Sequence, residues 1–123
     1  MDAGADVMYA ERFGVADAAV ERDVAAIGNV IDTSADYPGT ILASAIWHME
    51  PTIDRAIDAV RAGAFEPIDY GQYSYMTFGG GSLVVDEDLV PADVVAAVKA
   101  KEEEILAGLF RVNVNDDEPS STR

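Results

Sequence analysis

The sequence predicts an α/β domain, an open and mostly parallel sheet flanked by helices, and three observations carry that expectation. Short apolar runs of strand length, at residues 5–10, 24–28 and 40–46, alternate with stretches of helical periodicity. Turn-forming segments rich in Gly, Pro, Asp and Ser separate them. A length of 123 residues with 50% in the hydrophobic class supports one such core and falls short of the two lobes a closing cleft needs.

Residues 5–10 form the first strand-like run, and Glu11, Arg12, Phe13 and Gly14 make a turn before an Ala-rich helix over 15–22. Asp23 opens the second strand at 24–28, and a polar loop over 32–39 carries the turn signal Tyr37-Pro38-Gly39. This βαβ unit implies parallel pairing with a right-handed crossover. The third strand, 40–46, is followed by Trp47, His48 and a helix. Pro51 suits its first turn, Ile53, Ala56, Ile57 and Val60 share one face, and Gly63 suits the position past its end.

Residues 72–78 read as a strand because aromatic and β-branched side chains alternate there, and Gly79-Gly80-Gly81 reads as a flexible turn that ends it. Pro91 opens a last helix whose apolar side holds Val94, Val98, Ile105 and Leu106. Lys99, Lys101 and Glu102 to Glu104 face water, and Gly108 stops the helix. A final strand is expected at 110–114. The domain therefore spans 1–114, and the acidic, Ser-containing segment 115–123 is expected to be disordered.

Composition removes several classes of function. Lys and Arg total 8 against 23 Asp and Glu, a formal charge of −15 that repels phosphate backbones and anionic lipid surfaces, so no nucleic-acid partner is expected. The acids are scattered as on a solvated surface. There is no cysteine, hence no disulfide, thiolate metal site or cysteine nucleophile. The single His48 lacks a second ligand at metal spacing and is read as a capping or surface residue, with a ligand contact as the alternative. Gly79 to Gly81 is not followed by the Lys-Ser/Thr of a phosphate loop, and a pair such as Asp86 and Asp88 is weak support for acid-base chemistry in so acidic a chain. No cofactor is implied and no enzyme is expected.

In open α/β sheets ligands sit beyond the carboxyl ends of the strands, which selects the loops at 11–14, 29–32 and 47–50. The candidate ligand-binding residues there are Glu11, Phe13, Asn29, Asp32 and Trp47. Trp47, the one tryptophan, either stacks on a flat ligand or packs in a core or interface, and Phe13 occupies the equivalent crossing after the first strand. Glu11 and Asp32 offer acceptors to ring N–H or sugar hydroxyl donors, or are simply solvated.

The motif order Gly4-Ala5-Asp6-Val7, Ala26-Ile27-Gly28 and Thr40-Ile41-Leu42-Ala43-Ser44 resembles the basic membrane protein family, the purine-nucleoside-receptor-like substrate-binding lipoproteins of ABC importers. The likeness runs from about Gly4 to Val114 and covers only that family's carboxy-terminal portion. It implies one lobe of a type I periplasmic-binding-protein fold. Where the family carries two alternating aspartates after the Ile-Gly motif, this chain has Val30 and Asp32. Where the family has the lysine of a Ser-x-x-Lys motif, it has Trp47, and Glu11-Arg12-Phe13 replaces the family's Gly-rich loop.

The resemblance implies a partial solute-binding component of an ABC importer, with a purine nucleobase, nucleoside or similar heterocycle as ligand and an ABC permease as partner of the full-length parent. Exchange of a carboxylate and a lysine for an indole favours a flat base over a sugar-bearing one. The family is extracytoplasmic, whereas this chain shows no signal segment and no run of membrane-spanning length, so that as written it is expected to be soluble and cytoplasmic. The alternative is an oligomerising interaction module without a transport ligand. In either case a homo-oligomer is expected, because a lone lobe leaves sheet edges and apolar surface open.

Overall fold

A computed structural model describes residues 4–9 and 12–113. Strands β1 (Val7–Tyr9), β2 (Ala25–Val30), β3 (Ile41–Trp47) and β4 (Gly81–Val85) form one sheet in that order, with helix α1 (Val15–Glu21) between β1 and β2, α2 (Glu50–Arg61) after β3 and α3 (Ala92–Leu106) after β4. The β1–β2 and β2–β3 pairs are parallel and β3–β4 is antiparallel. The expected α/β class with an open, mostly parallel sheet is therefore the observed one.

The three helices stop by the same local device. The amide of Gly63 donates to Val60 O and that of Ala64 to Ala59 O, and Gly108 and Leu109 bond back to Ile105 O and Glu104 O in the same way. Both glycines hold positive φ, as this closure requires. After α1 the position belongs to Asp23 at φ 52, with Asp23 N bonded to Val20 O and Val24 N to Ala19 O. Pro51 lies in the first turn of α2, as its sequence suggests.

Residues 72–78 are not a strand. They form two 3-10 turns, Gly71–Ser74 and Met76–Phe78, whose backbone groups are satisfied locally by Tyr73 N to Tyr70 O, Tyr75 N to Gln72 O and Phe78 N to Tyr75 O. A spacing of three suits such a turn, in which residues i and i+3 eclipse. It places Tyr70 and Tyr73 beside each other and, with Phe65 and Phe78, builds a chain of ring contacts at 5.2–6.3 Å. Nor is the glycine run a loose turn. Gly80 is buried, a Cβ there would fall 2.1 Å from Tyr73 O, and Gly81 already belongs to β4.

Two further expectations are corrected. Residues 110–113 pair with no strand; Val114 lies outside the described residues. The chain leaves α3 with Leu109 N and Phe110 N both on Glu104 O, which sets the Phe110 ring 4.3 Å under the Lys101 ammonium instead of at a sheet edge. In α3 the buried apolar residue is Val95, while Val94 and Leu106 are exposed.

The core is small. Ala16 and Ala19 of α1 pack on Ala26 and Ile41, with Val24 and Tyr37 completing the cluster. Tyr37 closes it from the β2–β3 connection by donating its hydroxyl to Asp17 Oδ1 of α1 at 2.9 Å, and that bond holds the phenol above its ordinary pKa. Helix α2 buries no residue, and its apolar stripe of Ile53, Ile57 and Val60 is exposed.

Candidate functional site

The three parallel strands run the same way, so Tyr9, Val30 and Trp47 end at one edge, and antiparallel β4 brings Gly81 there opposite Trp47. Successive strand residues point to opposite faces. Pairing shifts once between β2 and β3, because Ala26 faces Ile41 while Ile27 faces Ala43, leaving Leu42 as an extra residue. The shift lets Ile41 and Ser44, three positions apart and both fully buried, point to the same face as Ala26 and Gly28. Asn29, Ala45 and Trp47 belong to the other face.

Four of the five candidates lie in the described part, and they are not drawn into one cluster. Glu11 lies outside the described residues. Phe13 is fully exposed in the turn before α1, and no ring contact joins it to Trp47 among the described residues. Trp47 is the last residue of β3, not part of the following loop, and its side chain is 57% exposed on the same face as half-buried Asn29.

Asp32 goes the other way. Its Oδ1 accepts Ser34 N at 3.0 Å and the Ser44 hydroxyl at 3.3 Å, so the carboxylate folds back over the Gly28–Ser44 face. Its pKa is lowered, first by the Ser34 amide and then, against a smaller desolvation effect, by the hydroxyls of Ser34 and Ser44. With Ser34, Ile41, Ser44, Val84 and Asp86 it lines a shallow depression of about 120 Å³. That is well below the roughly 300–1,000 Å³ of a small-molecule pocket. A second hollow of about 260 Å³, between Glu87, Lys99 and Val95, lies at the α3 side. At the carboxyl edge itself Tyr9, Val30 and Trp47 are exposed, so that edge is an open surface.

Two residues at this edge were not among the sequence candidates. His48 follows Trp47, its amide extends the ladder by donating to Gly80 O at 3.0 Å, and its Nε2 lies 2.8 Å from Ser82 Oγ on β4. The sequence could not pair them, since 34 positions and an unrecognised strand separate the two. Among the described residues no group of His, Asp and Glu side chains is arranged to hold a metal ion.

No protein-family model matches the chain, and no curated protein matches it. Solved structures do. A transcriptional activator of the comK gene from Bacillus halodurans superposes with a TM-score of 0.67 over 85% of this chain at 22% identity, a likeness of fold alone. An ABC transporter system solute-binding protein from Conexibacter woesei superposes with a TM-score of 0.54 over 91% of this chain at 28% identity. The chain spans 38% of the length of each of these two solved chains.

Proposed function

We propose that this chain is part of a solute-binding protein of an ABC importer and supplies one wall of a cleft for a purine or related flat heterocycle. The observation that carries the reading is the 28% identity to an ABC transporter solute-binding protein over 91% of the chain. The open carboxyl edge agrees with it, because ligands of such sheets sit beyond the strand ends. Trp47 supplies a stacking plane and Asn29, on the same face, an amide that both donates and accepts; Phe13 lies beyond the next strand end, and Asp32 holds the loop between.

The likeness to the basic membrane protein family favours a purine base over other solutes, with transport and not catalysis as the outcome, in an extracytoplasmic parent that docks on a permease. Closure of a second lobe would enclose the ligand by hinge motion. Calorimetric titration of the two-lobed parent with adenine, adenosine, guanosine and inosine tests the reading. Saturable binding of at least one is expected, and binding of none overturns it.

A second reading, a self-associating module, is favoured by the exposed stripe Ile53, Ile57 and Val60. Sedimentation over a wide concentration range separates the two. A mass that doubles with concentration and is restored to that of the monomer by Ile57→Asp, without purine binding, selects the second.

A further inference from the structure

His48 occupies the junction where β3 hands over to α2, on the strand edge that the proposed cleft uses. Three features distinguish it from a solvated surface histidine. Its backbone is fixed in the ladder by the bond to Gly80 O, and Gly80 is itself clamped, since the segment after α2 leaves no room there for a Cβ. Its ring is held from one side through the 2.8 Å contact between Nε2 and Ser82 Oγ. It remains half-buried. An imidazole anchored through one nitrogen keeps its other nitrogen, Nδ1, in a set direction. Whichever tautomer the Ser82 hydroxyl selects, Nδ1 offers a single donor or a single acceptor.

We infer that His48 is a ligand-contacting residue of this edge, reading the polar rim of a planar heterocycle through Nδ1, and that Ser82 is the positioning residue that fixes its ring. The inference rests on the proposed binding role and deepens it. As adjacent residues at the end of a strand, Trp47 and His48 diverge to opposite sides. A flat ring seated across the edge meets the indole on one side and the imidazole on the other. The ligand class is accordingly a ring that carries both a π face and an in-plane nitrogen or exocyclic oxygen or amino group, which purine bases provide. An imidazole held by backbone and neighbour before the ligand arrives loses little freedom on binding it.

The test uses the intact chain, with inosine and adenine as probes at millimolar concentration and NMR detection of the Trp47 indole N–H and the His48 ring nitrogens. Saturable shifts at both residues are expected for at least one probe. His48→Phe, which keeps the ring and removes both nitrogens, should weaken that binding about three- to ten-fold. Ser82→Ala should weaken it less and broaden the His48 ring signals, with Ser82→Thr restoring both. Shifts at Trp47 with none at His48, or unaltered affinity in His48→Phe, overturn this inference and leave the binding role standing. Shifts at neither residue for either probe overturn the inference, and the titration of the two-lobed parent then decides the binding role separately.

Discussion

A Cβ placed on Gly28 would lie 2.6 Å from Oγ of Ser44, its neighbour across the β2–β3 ladder. The buried hydroxyl therefore occupies the space that any other residue at position 28 would fill. From there it donates to Asp32 and ties the loop after β2 back onto the sheet.

Gly28→Ala should then cost about 1–3 kcal/mol, the usual toll of overpacking. Ser44→Ala removes the obstructing oxygen, so the double variant should be less destabilised than the two single effects added together. Urea denaturation of the four proteins measures that coupling. Strict additivity would mean that the two side chains do not compete for one space.

Asp32 should make stability depend on pH in a defined window. Its folded pKa is depressed below the ordinary value of 3.8, so its contribution is present above that value and is lost as pH falls through the folded pKa. The melting temperature of the parent chain should exceed that of Asp32→Asn at pH 6, and the gap should close progressively below pH 4. A gap that persists unchanged into strong acid would show that the carboxylate is not the stabilising form.

Two non-glycine residues sit at positive φ, Asp23 at 52 and the β-branched Val30 at 76. Asp23→Gly should raise stability by about 0.5–1 kcal/mol, since the other two helices use glycine at this closure. Val30→Gly should gain about 1 kcal/mol by relieving a conformation that β-branched side chains rarely adopt. Thermal denaturation of each variant provides the check.

Trp47 is exposed, so Trp47→Ala should change the stability of this chain by no more than about 1 kcal/mol, against about 3–5 kcal/mol for a core tryptophan. Under the proposed role, the same substitution in a two-lobed parent should weaken purine binding about ten- to a hundred-fold. Stability lost with affinity intact would return the indole to a packing role.

Salt should stabilise the chain. A formal charge of −15 on so small a domain is largely self-repulsive, and added salt shortens the reach of that repulsion. The melting temperature should rise between about 0.05 and 1 M NaCl.

How far the sequence revealed the fold depends on how local each cause is. Pro51, Gly63, Pro91 and Gly108 mark helix ends because a helix starts and stops through bonds within a few residues. The 72–78 run misleads because its aromatics satisfy a period of two as readily as one of three, and the choice is made by 3-10 bonds and by the ring contacts with Phe65. The site was less legible. Its strand-end positions follow from topology, but the single extra residue Leu42 decides which side chains share a face, and nothing in the residues around it announces the shift. The partners of Asp32 and His48 lie 12 and 34 positions away and become visible only once the strands are paired.

The antiparallel pairing of β4 also has a kinetic side. Partners in β1–β2 are 18 positions apart, as in Val7 with Ala25, whereas Trp47 and Gly81 are 34 apart and Ala43 and Val85 are 42 apart. Closing the longer loop costs more chain entropy, and helix α2 with the aromatic turns must be accommodated inside it. Docking of β4 is therefore expected to be a late step of folding and its release an early step of unfolding. The edge that carries Trp47 and His48 includes the pairing of β3 with β4, so amide exchange at β4 should report how often that proposed binding edge is intact.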